Sequence, residues 1–213
     1  MVLTNIIVLG IVWLRTFVRE KKMKAEEIKQ SALAQFVVKG FEATTLDDIV
    51  KEIGIKKQSV YSHFKTKEDI FLQVMQDATN KEVSFLKNFF IEYQEESAKD
   101  MLNKLLMKYR DRYLEQENLE LKFVLRMAFM PPFHLRDTVM NQFHLYNREL
   151  EEILMLIFEK DEEIKVTPKE GVMSFSNLLD GILVELIYSG SNIEKVDEKL
   201  SISWEVYWKG ITN

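Results

Sequence analysis

From Lys24 onward the apolar residues of this chain fall three and four apart, and no stretch makes a convincing strand. Ile28, Ala32 and Phe36, with Leu33 and Val37 in the adjoining column, predict a helix over Lys24–Lys39 that Gly40 ends. Thr45-Leu46-Asp47-Asp48 is a capping-box pattern, a hydroxyl followed three residues later by an acid. Leu46, Ile49, Val50 and Ile53 follow on one face, and Gly54 stands where a left-handed turn residue is wanted. A third short helix carries Val60 and Phe64, and Thr66-Lys67-Glu68-Asp69 opens a longer one. Further helices are predicted from Ser97 to about Glu115, from Asn118 to Met130 ahead of Pro131-Pro132, and from His134 to Glu159. Thr167-Pro168-Lys169-Glu170 starts another that runs to about Gly190, and the last covers about Asp197–Lys209. Turn formers are scarce, with 7 Gly and 3 Pro in 213 residues, below the usual share of roughly 12 %. The fold class is therefore all-α.

Residues 2–14, VLTNIIVLGIVWL, are nearly all apolar. The run is shorter than the roughly 20 residues that span a bilayer as a helix. No Lys or Arg precedes it and no small-residue cleavage site follows, so it makes a poor signal peptide. Arg15, Arg19, Lys21 and Lys22 come after it. Three readings stand: an upstream extension of a self-sufficient chain that begins at Met23, an extra packed helix, or a weak anchor. The extension is the preferred one. It gives an apolar segment 1–22, a first domain 23–70, and a C-terminal domain 71–213.

The net charge is −5, so any nucleic-acid site must be local. Two short helices joined by a turn at Gly54 form a helix-turn-helix arrangement. Lys56, Lys57, Lys65 and Lys67 fall between positions 56 and 67 with no acid among them. The basic cluster thus coincides with the second of the two helices and the start of the next. That is the footprint a DNA reader needs. The helix start at Lys67 also offers free N–H groups to a phosphate.

The segment Gly40-Phe41-Glu42-Ala43-Thr44-Thr45, with Ile49 and then Gly54-Ile55-Lys56-Lys57-Gln58-Ser59-Val60-Tyr61-Ser62-His63-Phe64-Lys65-Thr66-Lys67-Glu68, resembles the DNA-binding signature of TetR-type regulators. The rest of the chain resembles that family in helix layout only. Lys56 departs from the pattern, because many members carry a small capping hydroxyl there. The apolar segment 1–22 is a second departure. The resemblance implies an N-terminal three-helix helix-turn-helix domain joined by a long helix to a C-terminal ligand-binding and dimerisation bundle. It implies phosphate contacts from Thr44 and Thr45, base-edge contacts from Lys57, Gln58 and Ser59, backbone contacts from Tyr61 and His63, and a phosphate held by Lys67. Lysine donates to guanine O6/N7 and glutamine pairs bidentately with adenine.

Between 85 and 158 aromatic and methionine residues are dense. Such residues pack a core, and they also line apolar ligand cavities. The expected ligand residues are Phe89, Tyr109, Tyr113, Phe123, Arg126, Met127 and Phe143. Arg126, if it faces inward, meets an anionic head group; facing outward, it is solvated. His134 and His144 are ten apart with no carboxylate at ligand spacing, so no metal is expected. The helix over 171–190 is apolar on a wide face, and Trp204, Tyr207 and Trp208 follow it. The resemblance implies a four-helix interface in a homodimer, with Leu179, Leu183, Ile187, Trp204 and Trp208 in it.

Cysteine is absent, which excludes disulfides, thiolate zinc sites and a cysteine nucleophile. There is no metal motif, phosphate loop or nucleophile with a neighbouring base, so neither an enzyme nor a cofactor is expected. The leading expectation is a cytoplasmic, ligand-responsive repressor. It would bind a palindromic operator in double-stranded DNA as a homodimer and be released by a small apolar or amphipathic effector. The alternative is a membrane-linked helical adaptor, which rests entirely on residues 2–18.

Overall fold

A computed structural model describes residues 2–115, 118–189 and 193–213, with side chains from Val18 on, Ser189 apart. The apolar side chains of 2–14, on which the anchor and extension readings turn, lie outside the described residues. Among the described residues there is no strand. The helices are α1 (Val2–Ala43), α2 (Leu46–Ile53), α3 (Lys57–Val60), α4 (Lys67–Tyr93), α5 (Ala98–Leu114), α6 (Leu119–Phe129), α7 (Arg136–Lys160), α8 (Pro168–Ser189) and α9 (Ile193–Thr212). A 3-10 turn at Phe133–Leu135 precedes α7. Two compact units emerge, Met1–Val74 and Met75–Asn213, and the division falls within α4.

In the first unit the backbone of α1 is helical from Val2, so the helix expected to begin at Lys24 starts earlier. Gly40 breaks it, with φ 79° and ψ 169°, a conformation that a side chain disfavours. Ile28, Ala32 and Phe36 of α1 are buried, as their spacing requires, together with Phe41, Ile49, Val60, Phe64, Ile70 and Phe71. The Phe71 ring meets Phe36 edge-on at 5.3 Å and Phe41 at 4.9 Å. Ser31 ties α1 to α2, its hydroxyl donating to the Ile49 carbonyl at 2.9 Å.

The second unit packs around α8, which touches α5, α6, α7 and α9. Residues Pro168–Tyr188 are long and apolar enough to cross a membrane. Their Val172, Phe175, Leu179, Ile182, Leu183 and Leu186 nevertheless lie in the core of the bundle. The expected cap of α8 forms, with Glu170 accepting the Thr167 N–H at 2.8 Å. At Gly171 a Cβ would fall 2.5 Å from the Phe158 ring, so α7 and α8 approach closely there. Glu82 is buried and accepts two hydrogen bonds from Arg112, at 2.8 and 2.7 Å. Removing either partner would strand a buried charge.

Candidate nucleic-acid interface

The capping box predicted at Thr45 holds the start of α2. The Thr45 hydroxyl accepts the Asp48 N–H at 3.1 Å, and the Asp48 carboxylate accepts the Thr45 N–H at 2.8 Å. Lys39 donates to the same carboxylate at 2.6 Å. Lys39 first, then the Thr45 groups, hold the Asp48 carboxyl well below the usual range. Gly54 closes α2 in the left-handed conformation (φ 66°, ψ 27°), and the chain turns at once into α3.

Helix α3 is a single turn with no side-chain cap at Lys56. Val60 and the following Phe64 are buried and pin it to the unit. That anchoring leaves Lys57, Gln58 and Ser59 exposed on the outer face, with Tyr61 56 % exposed beside them. Lys57 rests on Asp47 at 3.1 Å, both side chains largely in solvent. Such a pair is weak and easily exchanged for a phosphate or base partner.

Two of the residues expected at a phosphate have partners within the chain. Thr44 is buried and its hydroxyl donates to the Gly40 carbonyl at 2.7 Å, so it is turned into the kink and away from a phosphate. The Lys67 ammonium donates to the carbonyls of Phe41 at 2.8 Å and Thr44 at 3.0 Å, and sits 4.2 Å over the Phe41 ring. Its side chain closes the end of α1. The Thr45 hydroxyl remains at the surface, though its lone pairs serve the cap.

His63 is half-buried, which the sequence did not signal. A recess of about 480 Å³ beside it is lined by Glu20, Lys21, Met23, Lys24, Glu27 and Ser62. Burial, with the charge of Lys21 added, pushes the His63 imidazole below its ordinary value. Lys21 belongs to the segment set aside as an extension, so α1 brings a cation to the edge of the α3 face.

In the second unit neither of the two described cavities is lined by all the expected ligand residues. Phe123 and Met127 are fully packed. Tyr109 is buried with its hydroxyl against that of Tyr146. Phe143 lines a cavity of about 220 Å³ with Tyr146, Leu179, Asp180 and others. Phe89 lines an open cleft of about 690 Å³ between α4 and α5. Tyr109, Tyr113, Phe123, Arg126 and Met127 line neither. Most of the aromatic stripe fills the bundle, as close packing of a protein interior requires.

The residues expected at a dimer interface also pack within the chain. Leu179, Leu183 and Trp208 are buried in their own subunit, and Ile187 and Trp204 pack on the same core. Trp204 stacks on Trp208 at 5.6 Å. The apolar residues that α8 and α9 leave exposed are Met173, Tyr188, Ile193, Ile202 and Val206.

Residues 28–74 match the family model of bacterial regulatory proteins of the tetR family. Over 91 residues the chain is 33 % identical to the biofilm operon icaADBC HTH-type negative transcriptional regulator IcaR of Staphylococcus epidermidis, covering 42 % of this chain and 49 % of that one. The chain thus spans about half the length, or less, of the curated relatives it matches. A putative TetR-family transcriptional regulator from Mesorhizobium loti superposes with a TM-score of 0.67 at 20 % identity, over 91 % of this chain and 98 % of that one. The transcriptional regulator FadR of Bacillus subtilis, in complex with stearoyl-CoA, superposes with a TM-score of 0.62 at 16 % identity, over 84 % and 96 %. At such identities these two likenesses carry the all-helical fold.

Proposed function

We propose that this chain, which belongs to the TetR family of bacterial regulatory proteins, represses transcription by binding operator DNA as a homodimer and is released by a small effector. One observation carries the DNA-binding part. The chain holds Lys57, Gln58, Ser59 and Tyr61 outward on a helix whose Val60 and adjoining Phe64 are locked in the core. A helix fixed from behind and polar in front is what major-groove reading requires. Lys57, Gln58 and Ser59 read base edges, while Tyr61, His63 and Lys21 contact the phosphate backbone.

Dimer formation draws support from the exposed Met173 and Tyr188 on α8 and Ile202 and Val206 on α9. Apolar side chains left in solvent on two adjoining helices offer a surface to a second copy of the chain. Twofold symmetry in the protein then implies a palindromic site. Repression follows the negative regulator to which the N-terminal region is similar. The working place is the cytoplasm, where the chromosome is. Effector release draws support from the cavity between α6, α7 and α8.

Selection of duplexes from a random-sequence pool by the purified protein tests this reading. It should enrich a palindrome whose half-sites lie about 10–10.5 base pairs apart, or a multiple of that spacing. A pool that stays random, or enrichment of sequences without twofold symmetry, would contradict it.

A further inference from the structure

We propose that the cavity between α6, α7 and α8 binds a small organic cation, an amine carried on one ring or a short apolar chain. That this cation is the effector rests on the reading of the chain as a ligand-released regulator.

The cavity of about 220 Å³ is smaller than the roughly 300–1,000 Å³ of sites that take drug-sized molecules. A single ring with a short substituent fills it. Its floor is apolar, built from Leu125, Leu150, Leu179 and Leu183. Phe143 and Tyr146 stack at 5.5 Å with an interplanar angle of 26°, and both line the space. The Tyr146 hydroxyl is taken by Tyr109, so Tyr146 offers the cavity its ring. Aromatic faces are negative and attract ammonium groups.

The charged groups in the lining are Glu151 and Asp180, both carboxylates, and no lysine or arginine lines the space. Both are exposed, which places them at its rim. Neither has a hydrogen bond or ion pair among the described residues. Asp180 is also partly withdrawn from water, and burial raises its carboxyl above the ordinary value. An ammonium between Asp180 and the stacked rings would relieve that penalty. An anion would meet repulsion from both carboxylates. The expected anionic head group at Arg126 therefore gives way to the opposite charge, since Arg126 does not line the cavity.

Calorimetric titration of the full chain, free of DNA, with 2-phenylethylamine and with 3-phenylpropanoate tests this. The two probes are similar in length and opposite in charge. The amine should bind at least tenfold more tightly than the carboxylate. Asp180→Asn should lower amine affinity at least tenfold, and Glu151→Gln should lower it less. Both side chains are exposed, so neither variant disturbs the core. Equal binding of the two probes, no binding of the amine at millimolar concentration, or unchanged amine affinity in both variants would overturn the proposal. Repeating the titration with the selected duplex present separates the two readings. Amine binding that depends on Asp180 but does not change with DNA would support the cation site and remove the effector role.

Discussion

Two kinds of partner compete for the Lys67 ammonium. The basic cluster in the sequence marks it for a phosphate, yet the last carbonyls of α1 hold it. Those carbonyls have no helical partner and concentrate partial negative charge, so a cation is well placed there. Hydrogen bonds to a charged group are worth about 1.5–3 kcal/mol. Lys67→Ala should therefore destabilise the first unit by about 2 kcal/mol, read as a lower urea midpoint. Unchanged stability with a smaller dependence of DNA affinity on salt would show instead that Lys67 serves a phosphate. Thr44 illustrates the same competition. Its hydroxyl goes to the Gly40 carbonyl, a local partner that needs no ligand.

At the scale of elements, the cap of α2 gives the protein an acid limit. The Asp48 carboxyl is held low by Lys39 and Thr45. A depressed folded pKa contributes stability that is present above the unfolded value near 4 and is lost as pH falls through the folded one. Stability of the first unit should drop below about pH 4, and Asp48→Asn should flatten part of that drop. Urea midpoints measured between pH 6 and pH 2 would show it; parallel curves for the two proteins would contradict it.

Such caps were legible in the sequence because hydroxyl, acid and spacing act within four residues. For the same reason the bounds of α2, α5, α6 and α8 follow closely from Thr45, Ser97, Asn118 and Thr167. The face of α3 was legible too, since Val60 and Phe64 fix which side is buried. The neighbours of a long apolar helix were not. Helix α8 is apolar almost all round, and periodicity says that Leu179 and Leu183 are buried without saying by what. They turn out to face α8's own bundle, while Met173 and Tyr188 face outward. Asp180 and Glu151 were invisible as a pair, because their nearness arises only when α7 and α8 pack.

One continuous helix, α4, begins at Lys67 in the first unit and continues into the second. An effector acts only through its different affinities for the free and DNA-bound states, and the coupling is reciprocal. All of this presupposes that the outer face of α3 reads DNA. The direct measurement is fluorescence anisotropy of the selected duplex with the wild-type protein and with Lys57→Ala, Gln58→Ala and their combination, over a range of salt. Both side chains lie in solvent, so circular dichroism and urea midpoints should stay those of the wild type. Lys57→Ala should weaken binding of the selected duplex by about 1–3 kcal/mol if it pairs with a base. Gln58→Ala should relax discrimination at one base-pair position, and the combined variant should bind selected and random duplexes alike. Wild-type affinity and specificity in the combined variant would contradict the account.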